Sequence, residues 1–407
     1  MGRGGWFLLL LYAFTIPWEY SLELGEPWGN IARVLGVLVL LAAIPATLQR
    51  RKLRCPGATQ WMVLALFLWF CCTYFWTIDP ATTLVKIRGY FQEMMIVWIA
   101  WEFAEEKHDL RALVRAMVAG SWVLGILTLL NAASPAAVTS GQIRFAAVGQ
   151  DPNDVARFLD LGFPLAALLL DWETRPVCRI LALGYLPLGF LAVLLTASRG
   201  GFVAALPAIA GCCILLLRNH RRVLVAILGA LPLSGAAIGI AVPHGTLARL
   251  ATIPVQLQGG DLNQRLNIWS AGWQAFKESP FFGYGAGTFA GAAGLAPMDT
   301  AHNTVLSIGV EGGTVALAIA FAVFLLAVRS AWMVHGQLRI ALMAALLVWT
   351  VSSLVGTVAE SRTTWLLFAI VALAGRFAAQ VGAFPSSMRA DETCEYAPGT
   401  AGPEPAQ

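Results

Sequence analysis

Apolar runs of about 18–22 residues repeat along this chain, separated by short polar connections, and that length matches the hydrocarbon thickness of a bilayer. Within the runs the apolar positions do not alternate, as the lipid-facing residues of barrel strands would. The pattern predicts an all-α polytopic membrane protein with about twelve transmembrane helices, near residues 5–21, 29–48, 58–78, 87–104, 112–131, 153–171, 179–197, 201–217, 222–242, 303–328, 337–358 and 362–380. The first run is short and contains Pro17, so a kinked or shallow span is expected there. The layout is then nine spans in 1–242, a large loop over 243–302, three spans in 303–382, and a tail over 383–407. The tail is rich in Pro, Gly, Ser and Glu and is expected to be disordered.

Composition agrees with the pattern. Of 407 residues, 58% are hydrophobic and 12% charged, with a mean hydropathy of +0.70, which excludes a soluble domain of this size. The seven cysteines, Cys55, Cys71, Cys72, Cys178, Cys212, Cys213 and Cys394, have neither zinc-site spacing nor the look of a disulfide framework. Arg3 followed by Trp6–Ile16 resembles a signal peptide, but no small-residue cleavage site follows, so it reads as the first span.

The net charge of +4 matters less than where the charges fall. With the N-terminus inside, the inner segments carry Arg3, Arg50, Arg51, Lys52, Arg54, Lys107, Arg111, Arg115, Arg175, Arg179, Arg218, Arg221, Arg222, Arg329, Arg339, Arg376 and Arg389. That leaves ten of the 27 basic residues outside, which supports both termini facing the cytoplasm. Eight of the ten are arginines: Arg33, Arg88, Arg144, Arg157, Arg199, Arg249, Arg265 and Arg362. One account pairs them with outer acids or lets them snorkel to headgroups. The other, favoured for the set, is an outward-facing anion site, because the planar guanidinium fork suits phosphate.

Candidate chemistry concentrates between Asn263 and Glu311. Leu262, Leu266, Trp269, Trp273 and Phe276 recur at helical spacing, so Asp261–Ser279 reads as an interfacial helix with one apolar face bordered by Arg265 and ended by Pro280. The Gly283–Gly287 turn follows a helix rather than a strand and is not a nucleotide fingerprint. His302 stands where the chain re-enters apolar sequence. A helix start favours the neutral imidazole and hence a base, although a lone histidine also fits a purely structural part. Arg199 lies in a tight outer turn, and Lys86 and Arg88 begin the fourth span. Asp151 and Asp154 read as helix caps rather than metal ligands. Glu311, nine residues after His302, falls on the opposite helix face at ~100° per residue and is not assigned as its partner.

Ser198-Arg199-Gly200, Arg265-xxx-Trp269, Pro280-xx-Gly283-Tyr284-Gly285-x-Gly287-x-Phe289, and His302-Asn303-xx-Leu306-xxxx-Glu311-x-Gly313 together resemble the O-antigen ligase and polymerase superfamily. The detailed likeness runs from about Leu195 to Gly313, and the rest of the chain follows by topology. The resemblance implies a metal-independent GT-C-type glycosyltransferase without cofactors, multi-pass in the bacterial inner membrane, acting at the periplasmic face. The implied substrates are an undecaprenyl-diphosphate-linked O-antigen and, for the ligases, the lipid A-core oligosaccharide, among membrane lipids and with no part for nucleic acid. The length and the lack of a large soluble C-terminal domain resemble the ligases; polymerases share much of the pattern. The residues matching the motifs are expected to give a catalytic pair, His302 as general base and Arg265 on the diphosphate, and substrate contacts from Arg199, Asn303 and Tyr284; Arg88, Lys86 and Arg144, read from the outer basic set, are expected to bind substrate with them. A transporter with the outer arginines as a vestibule remains a second reading, but it should show internal repeats and mid-span charges, and neither stands out. A non-catalytic scaffold leaves the arginines and His302 unexplained.

Overall fold

In a bilayer each backbone amide must be satisfied within its own segment, so apolar runs of this length close into helices. The structure, a computed structural model, describes residues 3–26, 28–50, 52–136, 141–260, 264–382 and 393–395. Its helices are α1 (Arg3–Thr15), α2 (Ile31–Arg50), α3 (Ala58–Cys72), α4 (Pro80–Phe103), α5 (Lys107–Ala132), α6 (Pro152–Trp172), α7 (Pro176–Leu195), α8 (Arg199–Asn219) and α9 (Arg221–Ala241). The loop region contributes α10 (His244–Ala251), α11 (Ile253–Gly259), α12 (Arg265–Glu278) and α13 (Phe289–Ala292). Then come α14 (Thr304–Met333), α15 (Gly336–Val355) and α16 (Arg362–Gly382).

Among the described residues eight helices are long and apolar enough to cross a membrane: α2, α3 with its following turn, α5, α7, α8, α14, α15 and α16. The chain is thus a multi-pass, all-α membrane protein. Helices also occupy the four other places where spans were expected, but α1 has only 13 residues. Charge sets α4 and α6 apart: Lys86, Arg88 and Glu93 lie on the first, and Asp154, Arg157 and Asp160 on the second.

The polar start of α6 gives way to the most enclosed helix of the bundle. Every residue from Val155 to Leu170 is buried, with α5, α7, α8 and α15 packed around it. A charged group on α6 is therefore an interior group, and Arg157 is only 8% exposed. Four helices that start on the side of the large loop are capped by their own preceding residue. Asp79 accepts from Ala81 N and Thr82 N, Asp151 from Asn153 N, Ser198 from Gly201 N and Asn303 from Leu306 N. The capping assignment of Asp151 holds, and Asp154 instead forms an ion pair with Arg157 one turn on.

Helix α14 is two pieces. Gly313, at φ 69° and ψ −170°, breaks it nine residues in, and the longer piece runs on to Met333. The tail, expected to lack order, contributes one described element, a strand Thr393–Glu395 paired antiparallel with Lys52–Arg54; the rest of it lies outside the described residues.

Candidate active site

The large loop folds back onto the break in α14. Gly283–Gly287 runs alongside it: Tyr284 N donates to Val310 O and Gly285 N to Glu311 O, both at 2.9 Å, and Thr314 N donates to Pro280 O at 2.7 Å. The Gly287 amide donates to Glu311 Oε2 at 2.7 Å, and the Ala286 amide to Thr73 Oγ1 at 3.1 Å. The amides of this Gly-rich turn are consumed in docking the loop rather than presented to a ligand. Glu311 also accepts from Ser307 at 3.3 Å, so its role is to hold the turn, and it makes no contact with His302.

Helix α12 begins at Arg265, four residues later than expected; Asp261–Asn263 lie outside the described residues. One side of the helix packs against the rest of the loop. Ile268, Ala275 and Phe276 pack with Phe289, Ala301 and Val310, whereas Leu266 and Trp273 are 47% and 56% exposed. Trp269, between the two faces, donates its indole N–H to Ala301 O at 3.0 Å and so fixes the residue before His302.

Three non-glycine residues among those described take left-handed backbone angles: Ala197 (φ 47°), Gln264 (φ 62°) and His302 (φ 45°). The first lies two residues before Arg199, the second just before Arg265, and the third is the histidine itself. Such conformations cost about 1–3 kcal/mol each and persist where the surroundings impose them. All three fall on the segments that carry the candidate site.

These segments bring five arginines together. Arg144 donates to Asn153 Oδ1 at 3.0 Å, and Ser198 donates to the same oxygen at 2.8 Å, so Asn153 ties the 141–150 segment to the start of α8. Arg199 donates to Thr252 Oγ1 at 3.2 Å, and Arg249 to Ala197 O at 3.2 Å, which lays α10 and α11 over that start. Arg157 rises from α6 beneath. Burial lowers the affinity of Arg265 for its proton, and repulsion from Arg199, Arg144 and Arg157 adds to this, against the pull of Asp151. Burial likewise lowers Arg144, with Arg199 adding to it, and lowers Arg249, with Arg144 and Arg199 adding. The carboxylates facing the set are Asp151, engaged as a cap, and Asp154, paired with Arg157. A cluster of this kind is held at the cost of mutual repulsion and gains most from an anion between its members.

His302 borders the cluster. Burial pushes its imidazole below the usual histidine range and the Arg265 guanidinium pushes the same way, while Asp151 and Asp299 pull upward. Thr300 Oγ1 lies 3.4 Å from Nδ1 and 3.5 Å from Nε2, distances at which a hydrogen bond holds the ring weakly. The result is a neutral imidazole beside guanidinium groups, able to accept a proton.

The other expected site residues stand elsewhere. Asn303 is a cap: Oδ1 accepts from Leu306 N and Nδ2 donates to Leu354 O at 3.2 Å. Tyr284 is part of the loop core, with its hydroxyl 3.5 Å from Glu278 Oε2. Lys86 forms an ion pair with Glu360 and lies over the Tyr90 ring, so Glu360 already answers its charge. Arg88, two residues on, points outward and is exposed. Of the outer arginine set, Arg362 forms a buried ion pair with Glu19 and Arg33 is exposed, so neither joins the cluster. Asn153, Arg157 and Arg249 join the site without having been selected as site residues. Arg157 and Arg249 belonged to the outer set, whereas nothing in the spacing marked Asn153 beyond its helix start. No group of three His, Cys, Asp or Glu side chains among the described residues is placed to hold a metal ion.

A family model described as O-antigen ligase matches residues 184–321. No curated protein matches the chain. The matched stretch contains the turn at Arg199, helix α12 with Arg265, the Gly283–Gly287 turn, His302 and the break at Gly313, which are the elements the fold gathers at one end of the bundle. Over that stretch the chain is similar to the O-antigen ligase and polymerase superfamily.

Proposed function

We propose that the protein is an O-antigen ligase: it transfers a glycan from undecaprenyl diphosphate to a hydroxyl of the lipid A-core oligosaccharide, at the periplasmic face of the inner membrane and without a metal ion. In this reading twelve spans with both termini in the cytoplasm leave the His302 end outside. The observation that carries the proposal is the clustering of Arg144, Arg157, Arg199, Arg249 and Arg265 beside a histidine whose proton affinity burial, Arg265 and Arg157 depress.

In this reading the diphosphate of the donor sits among the arginines, with Arg265 and Arg199 gripping its oxygens through paired N–H bonds. The acceptor hydroxyl oxygen attacks the anomeric carbon while an imidazole nitrogen of His302 takes its proton. The bond from the anomeric carbon to the diphosphate oxygen breaks, and its electron pair leaves on undecaprenyl diphosphate. The arginines stabilise that charge where it develops, and His302 afterwards returns its proton to solvent. One displacement without a covalent enzyme intermediate inverts the anomeric centre.

The test is transfer by the purified full chain in excess chelator, with an undecaprenyl-diphosphate glycan as donor and either lipid A-core or glycan repeat units as acceptor. Product on lipid A-core supports the proposal. Elongation of repeat units alone identifies a polymerase, and an absolute need for magnesium or manganese removes the arginines as the metal's replacement.

A further inference from the structure

The opposite end of the bundle holds a second basic cavity. Helix α14 starts beside His302 and runs to Met333, and α3 starts at Ala58 and ends where Thr73 meets Ala286 of the loop. The start of α3 and the end of α14 are therefore both remote from the arginine cluster. Between them, α4 and α16 complete a cavity of about 170 Å³ lined by the Gly57–Gln60 turn, Trp101, Arg329, Ser330, Met333 and Arg376. At roughly 30 Å³ of liquid volume per water, the space exceeds what one or two waters fill.

Its lining sets donors among apolar groups such as Leu326, Met333 and Ala372, and no carboxylate is among the lining residues. The amides of Ala58, Thr59 and Gln60 occupy the first turn of a 15-residue helix, where no intrahelical acceptor exists, and the helix dipole adds positive potential there. Gln60 is 0% exposed. Its Oε1 accepts from Gly57 N at 3.1 Å, and Nε2 of the same cavity-lining side chain is buried with no hydrogen-bond partner among the described residues. A buried amide donor without an acceptor is costly, and an anion in the cavity would satisfy it. Arg376 is held in place by the carbonyls of Trp101 and Ala104 and stacks over the Trp101 ring. Arg329 is exposed at the mouth. Trp61, 52% exposed on α3, and Trp332, 63% exposed on α14, place this level at the boundary between hydrocarbon and water, where such rings collect.

We propose that this cavity binds a phosphate group, with its oxyanion received by the α3 amides and Gln60 Nε2 and its charge balanced by Arg376 and Arg329. The source is either the headgroup of an anionic phospholipid or phosphate in solution, since both present the same chemistry.

Thermal unfolding of the detergent-solubilised full chain separates these. Phosphatidylglycerol, diacylglycerol and inorganic phosphate are titrated against the wild type and against Arg329→Gln and Gln60→Glu. The first substitution removes an exposed charge. The second keeps the oxygen that caps Gly57 and replaces the Nε2 donor by an acceptor. The expected result is a saturable rise in melting temperature with phosphatidylglycerol but not with diacylglycerol, and an apparent affinity lower by roughly tenfold or more in each variant. A matching rise with inorganic phosphate assigns the site to soluble phosphate; its absence assigns the site to the lipid headgroup. No rise with either phosphate compound, or equal rises in the wild type and both variants, overturns the proposal.

Discussion

Gly313→Ala is the perturbation that the loop's docking makes most quantitative. Gly313 interrupts α14 at φ 69° and ψ −170°, a region essentially reserved for glycine, and forcing another residue there costs up to about 3 kcal/mol. A Cβ at this position would stand 2.1 Å from the carbonyl oxygen of Phe281 and 2.6 Å from the amide of Phe282. The loop must lift to admit it, and the 2.7 Å bond from Thr314 N to Pro280 O goes with it, for about 1 kcal/mol more. The expected loss is about 4 kcal/mol. Gly294→Ala is the control. Gly294 also has a positive φ, 64°, but nothing lies within 4 Å of the added carbon, so the backbone term alone applies, roughly 1–2 kcal/mol. Equilibrium unfolding of both variants in mixed micelles, with transfer activity measured on the same samples, gives the comparison. Gly313→Ala should be the less stable by about 2–3 kcal/mol, and its folded fraction should lose turnover because the segment bearing His302 shifts. Equal stabilities within about 1 kcal/mol would refute the claim that the turn is clamped against the helix break.

Three further outcomes follow from the same geometry. Arg265→Lys keeps one charge but loses the fork, so donor affinity should fall about tenfold or more, read by competition with an undecaprenyl-diphosphate analogue; unchanged affinity would remove bidentate binding. The depressed proton affinity of His302 puts the acid limb of the kcat/KM profile below pH 6.5, the ordinary histidine value, with activity rising as the base loses its proton. Linkage has a matching sign: between pH 6.5 and the lower native value the unfolded chain binds more protons, so stability falls as pH drops through that window, which pH-dependent unfolding of the wild type and His302→Ala reads as a difference. Reporter fusions after Leu53 and at Gly291 should report opposite sides of the membrane, and the same side for both would sink the proposed orientation.

What was legible in the sequence follows from what local pattern encodes. Helix positions were readable because run length is a local property, and Arg199, Arg265 and His302 stood out as polar residues at the ends of apolar runs. Which charge meets which partner is not local. Lys86 is answered by Glu360 and Arg362 by Glu19, pairings hundreds of residues apart that no spacing rule contains, so Lys86 was placed with the anion site although it lies with Glu360 and Glu311. The second face of α12 is non-local for a related reason: Leu266 and Trp273 are exposed on the protein, while Ala275 and Ile268 pack with Phe289 and Val310 of the loop and α14. Asn153 was visible only as a residue of a helix start. Its hold on both Arg144 and Ser198 exists only once α6 and α8 lie side by side.

The central claim is that His302 removes the proton of the attacking hydroxyl while the arginines hold the donor, and His302→Ala and His302→Gly test it most directly. Glycine relieves the left-handed backbone that alanine retains, so the pair separates backbone strain from chemistry. Donor binding and single-turnover transfer are measured on the same folded samples. The account predicts donor affinity close to wild type and transfer slower by about 10²–10⁴-fold in both variants, whatever their relative stability. Folded variants that transfer glycan at near the wild-type rate would contradict it and leave positioning by the arginines as the whole of the catalysis.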